Sequence, residues 1–209
     1  MVTEDEYNRI LSACRALPRT TNNYLVNDFI MNLFLTVLDY QMQRSALIKM
    51  ERHYRDNHWN EIRTGDDLAR FLSRYPDTKD GNILAAQYLW GYKYWTRLHQ
   101  LRGLLAYFDS VGVTNQEALR QWAKESDFDQ DFKGKVKGLA FAIYKWIVMR
   151  QGVPTIKPDI QIKKFLAEVT NRTLTNLEAV DVLETVATEL GIPAHELDWT
   201  IWDYQRVAP

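Results

Sequence analysis

The chain has a single cysteine, Cys14. That excludes an internal disulfide and any zinc or iron–sulfur centre held by several cysteines, and it suits a reducing, cytoplasmic setting. The four histidines, His53, His58, His99 and His195, include no pair spaced i, i+4, so no metal and no cofactor is expected. Period-2 alternation is nearly absent; its best stretch, Ile156 to Ile162, is interrupted by Pro158. A proline there argues against a central strand. No repeat or low-complexity segment stands out. The first residues, MVTEDEYNRI, carry no basic and apolar leader, so no secretory signal is expected. The densest apolar run, Phe29 to Leu38, is too short to cross a bilayer. It reads as a buried helix, and no membrane partner is expected.

What is present is helical punctuation. Glu4 to Leu17 is amphipathic and stops at Pro18. Asp28 precedes the apolar run, and Ser45 to Tyr54 resumes helical spacing. Thr64 stands before acids that favour a helix start, and Ile83 to Phe108 is a long helical region broken at Gly91 or Gly103. Thr114-Asn115-Gln116-Glu117 and Thr175-Asn176-Leu177-Glu178 both match the capping box, and Pro193 opens the last helix. The fold class is all-α. At 209 residues one globular unit over 1–209, compact or in two closely packed halves, is expected.

Net charge is −1, but its distribution is uneven. Residues 133–164 hold eight Lys or Arg against Asp159 alone, whereas 165–209 hold two Arg against eight acids. A basic block in a neutral chain suggests a local surface for a polyanion; scattered solvated lysines would give the same count. Gly134 and Gly138 bracket a turn bearing Lys133, Lys135 and Lys137, just before the apolar helix LAFAIYKWIVM. Glycines ahead of a helix let backbone N–H groups face an anion. They also serve as ordinary tight-turn residues.

Beyond that helix, QGVPTIKPDIQIKKFL places Asp159 behind a proline at the mouth of another helix. Pro158 pushes Lys157 out of helical geometry, which leaves Asp159 as the N-cap of Ile160 to Val169. Such a cap stabilises by about 1 kcal/mol. It also aims a carboxylate outward, where it could stabilise positive charge or orient a water. The residues alone leave cap and catalyst both open.

This pattern, with Gly138, an apolar helix, Gly152-Val153-Pro154-Thr155-Ile156 and then Asp159, resembles the helix–hairpin–helix DNA glycosylase superfamily (the endonuclease III and adenine glycosylase fold). FLTVLDYQMQRSALIKMERHY at 34–54 is similar to that family's first core helix, its loop and the helix that follows. LDWTIWDYQR at 197–206 is similar to its closing helix, with Trp202 packing inward. The resemblance implies two helical halves, one at 27–132 and one made of 1–26 and 133–209, with a cleft between them. It also implies double-stranded DNA, damaged or mismatched, as partner, and a target base flipped out of the stack for cleavage of its N-glycosidic bond. Asp159 would be catalytic, and Gln41 would sit on the loop that enters the duplex. Lys133, Gly134, Lys135, Lys137, Gly138 and Ala140 would hold phosphate.

Bifunctional members carry a nucleophilic lysine where this chain has Phe141, or Ala142 with one gap. The implied activity is therefore monofunctional base excision without lyase chemistry. Ala140 replaces the hairpin's second glycine, and the four-cysteine cluster of some members is missing. The alternative is a catalytically inactive relative that serves as a DNA-binding or protein-interaction module. Tyr40, Trp90, Tyr92, Tyr94, Trp95 and Tyr144 are the aromatic candidates for stacking a flipped base, with core packing as the competing role of each.

Overall fold

Helix boundaries follow from local chemistry throughout the structure, a computed structural model that describes residues 1–22, 24–39 and 42–207, the last without its side chain. Among the described residues there is no strand, and the fold is all-α. Eleven α-helices run in the order α1 (Glu4–Ala16), α2 (Phe29–Leu38), α3 (Arg44–Asn57), α4 (Gly65–Leu72), α5 (Lys79–Trp90), α6 (Trp95–Ser110), α7 (Gln116–Glu125), α8 (Phe141–Arg150), α9 (Ile160–Thr170), α10 (Asn176–Glu189) and α11 (Ala194–Val207). One π-helical turn, Phe128–Phe132, lies between α7 and α8. No helix among the described residues is long and apolar enough to cross a membrane.

The chain divides into two compact units. One comprises Met1–Leu25 with Phe141–Pro209, the other Val26–Ala140. The second boundary falls eight residues later than the expected 132/133, so the turn at 133–138 belongs to the middle unit. Packing explains the shift. Phe132, Val136 and Leu139 are buried, and Gly103 of α6 lets Val136 come so close that a Cβ on residue 103 would stand 3.3 Å from it.

In the middle unit α2 is buried along nearly its whole length, from Phe29 to Leu38 with only Leu35 outside the core. It packs against α4 and α6, while α5 packs against α3 and α6. Phe34 meets Tyr54 and Trp90 edge-on, at ring separations of 4.9 and 5.5 Å. The long helical region breaks at Gly91, which takes a left-handed φ of 71° and caps α5; Gly103 stays helical. In the α7 cap the acceptor is Asn115 rather than Thr114, its side chain receiving the Glu117 and Ala118 N–H groups.

The other unit is built by α1, α9, α10 and α11 around Ile10, Leu11, Cys14, Ile162, Phe165, Leu166, Leu183, Leu197 and Ile201. The expected capping box at Thr175 forms with Glu178. A second box, Thr3 with Glu6, starts α1. Arg172 then ties the two helix starts together, reaching Glu6 at 2.6 Å and Glu178 at 3.3 Å.

Candidate functional site

After α8 the chain turns at Gly152 (φ 92°) and runs extended to Asp159. Two acids on other helices fasten this strap. Thr155 Oγ1 donates to Glu184 of α10 at 2.6 Å, and the Lys157 N–H donates to Asp198 of α11 at 2.7 Å. Asp159 then caps α9, its Oδ1 accepting the Gln161 and Ile162 N–H groups at 2.9 and 3.2 Å. Its Oδ2 lies 4.0 Å from Lys157 Nζ, and the side chain keeps 21% of its exposure. The Lys157 ammonium also sits 4.5 Å from the centre of the Trp146 ring.

Asp198 is 4% exposed. Burial, and next the charge of Asp159, push its carboxyl up to about 8; the Lys157 N–H, the Lys157 charge and the Tyr24 hydroxyl oppose that shift. At neutral pH the strap therefore carries a neutral carboxylic acid behind the capping carboxylate. Tyr24 stands edge-on to Trp146 at 5.3 Å and to Trp199 at 5.8 Å, and Trp199 stacks on Trp202 at 5.0 Å. This arrangement can hold a proton beside a carboxylate, and it offers aromatic edges and an ammonium at the same place.

Sequence reasoning found Asp159 and missed Asp198, Lys157, Trp146 and Tyr24. A signal for Asp198 was present, since it falls at helical spacing among Ala194, Leu197, Ile201 and Gln205, the buried face of α11. Of the aromatics expected to stack a base, several are taken up by packing. Trp90 is core at 1% exposure and Tyr144 is buried. Tyr92 and Tyr94 stack on each other at 5.6 Å in the middle unit. Trp202 is half-buried against Trp199, with Arg206 over its ring, so Leu197 and Ile201 are the inward residues of α11. Tyr40 and Gln41 lie outside the described residues.

In the middle unit, Gly134 (φ 74°) and Gly138 (φ 85°) both take left-handed geometry. Between them Val136 points into the core, while Lys135, Lys137 and, beyond Leu139, Ala140 are exposed. Lys133 is paired with Asp129 at 2.7 Å. The basic block is thus partly neutralised, for Lys145 lies 3.6 Å from Glu184, Lys164 lies 3.7 Å from Glu168 and Arg150 is buried. Among the described residues, Lys135 and Lys137 have no carboxylate partner. A concavity of 420 Å³ lies elsewhere in this unit, against Phe29, Leu72 and Leu105 of α2, α4 and α6.

The chain belongs to the family described as Domain of unknown function (DUF8548), which matches residues 100–206, just over half of the sequence. That match runs from α6 to α11 and includes the basic turn, Asp159 and Asp198. No curated protein and no solved structure matches the chain.

Proposed function

We propose that the protein is a monofunctional DNA N-glycosylase of the helix–hairpin–helix kind, with Asp159 as its catalytic carboxylate. The observation that carries this reading is the setting of Asp159. One oxygen is fixed by two backbone donors, the other is partly exposed beside Lys157, and the acid behind it is neutral. A single aimed negative charge suits an oxocarbenium-like sugar, because it stabilises the positive charge that grows as the glycosidic bond breaks. The left-handed glycines of the 133–138 turn, and Lys135 and Lys137, which have no carboxylate partner among the described residues, support a phosphate contact that ignores sequence. Phe141 or Ala142, whichever falls at the position of the lyase lysine, supports base release without strand cleavage, since neither is a nucleophile.

A second reading is an inactive relative that binds DNA or a protein. It is favoured by Asp159 having both oxygens engaged, in the cap and toward Lys157, and by Ala140 in place of the second hairpin glycine.

The test is Asp159→Asn. Asn caps a helix as well as Asp, so the change removes charge and leaves the fold. Wild type should generate alkali-labile sites in an oligonucleotide from a panel of damaged bases, and the variant should lose at least about a hundredfold in rate, the usual scale for a lost transition-state charge interaction. Equal rates would remove Asp159 from the chemistry. Salt-sensitive binding without cleavage across the panel would select the second reading, and no affinity at low salt would sink both.

A further inference from the structure

We infer that the concavity between α6 and the basic turn of the middle unit is a binding site for a phosphoryl group, in which His99, oriented by Asp77, acts with Lys135 and Lys137. The cavity measures 290 Å³ and is walled by His99, Gln100 and Arg102 on one side and by Lys135, Val136 and Lys137 on the other. Asp77, in the link between α4 and α5, directs both carboxylate oxygens at His99 Nδ1, at 3.0 and 3.2 Å. It also accepts from Asn82 Nδ2 at 2.7 Å and lies 3.8 Å from Arg102 Nε. These contacts, led by His99, hold the Asp77 carboxyl below its usual range.

That geometry fixes the ring. A carboxylate on Nδ1 requires a proton there, so Nε2 is the nitrogen left for a ligand, and it donates once it too is protonated. The guanidinium of Arg102 is held to the Leu72 and Tyr75 carbonyls and to Asn82, so it supplies a fixed charge. Among the described residues Asp77 is the one acid lining the cavity, against Arg102, Lys135 and Lys137 before any charge on His99 is counted. The excess is therefore positive. The turn is kept against α6 by Gln100 Nε2, which donates to the Lys137 carbonyl at 3.4 Å. At Gly138 a side chain would meet that same amide. Donors approaching from two walls match a tetrahedral oxyanion, whose oxygens point several ways, better than a planar carboxylate.

The inference rests on the DNA reading for the source of the phosphate, but not for the chemistry of the site. The experiment follows the side-chain nitrogen resonances of His99 in the full chain. Separate arms add inorganic phosphate and a short duplex, and duplex affinity is measured for wild type, Lys135→Glu with Lys137→Glu, and His99→Gln. These side chains are exposed, and thermal melts verify that each variant folds. The result expected is that the duplex moves His99 Nε2 and that the double charge reversal weakens duplex binding by about tenfold or more at low salt. His99→Gln should weaken it severalfold, and Lys135→Arg with Lys137→Arg should restore it. A shift with inorganic phosphate and no binding of duplex would keep the site, assign it to a free phosphate and overturn the DNA reading. Duplex binding that leaves His99 unmoved and is indifferent to the variants would overturn this site while the DNA reading stands. If neither ligand moves His99 or binds, both fall.

Discussion

Asp198 and Asp159 show how far a residue's chemistry depends on what lies behind it. Folding raises the Asp198 carboxyl from its ordinary 3.8 to about 8. Between those values the folded chain keeps a proton that the unfolded chain releases, so this residue's contribution to stability falls as pH rises through that window. In the Asp198→Asn variant the acceptor for the Lys157 N–H remains and the titration does not. Relative to wild type its stability should gain by about 1.4 kcal/mol per pH unit from pH 5 toward 8. Urea unfolding at several pH values checks this, and a gap that stays constant with pH would refute it. Asp159 was legible because capping is local: a proline, an acid and an apolar helix in a row. Asp198 was legible only as a residue on the buried face of α11; its place behind the cap was not, because that depends on α11 meeting a strap about forty residues earlier in the chain.

At the scale of elements, caps and breaks could be read from short motifs wherever the competition was local. Thr175 and Asp159 took their expected roles. At the start of α7 two adjacent cap-forming residues competed and Asn115 won, a choice the motif could not make. Gly138 has a stronger requirement, with φ at 85° and Gln100 against it. Gly138→Ala should cost about 1–2 kcal/mol in backbone strain, and it should loosen the turn from α6. Denaturation midpoints and amide exchange at Lys137 and Leu139 would show both. The helix starts joined by Arg172 carry the opposite pH sign to Asp198. Bonds from Arg172 to Glu6, and from Thr175 and the chain's N-terminus to Glu178, lead in lowering both carboxyls to about 2. The stability they confer is present above the ordinary glutamate value of 4.5 and is lost as pH falls toward 2. Thermal melts of Arg172→Ala should converge on those of wild type near pH 2.5 and separate at pH 6.

For the whole molecule, composition and periodicity sufficed for the all-α class, whereas the division into units needed more than they carry. The boundary was misplaced because the basic turn reads as a prelude to α8, whereas Val136 and Leu139 anchor it in the middle unit. The other unit contains the lone cysteine, fully buried among Ile10, Leu17 and their neighbours, with burial pushing its thiol up to about 12. Only the thiolate reacts. Cys14 should therefore resist alkylation in the native state and react at a rate that rises with denaturant in step with the opening of that unit. Labelling as fast as in the unfolded chain would show that α1 is not held.

The unit that holds Cys14 is also discontinuous, made of residues 1–25 and 141–209. During synthesis α1 emerges before the middle unit, whereas its packing partners α9 and α10 emerge after it. The middle unit, continuous in sequence, can complete its core while α1 still waits with Ile10, Leu11 and Cys14 uncovered. For that interval the nascent chain presents the apolar face of an amphipathic helix without its partners, which makes it a natural client for a chaperone at the ribosome exit.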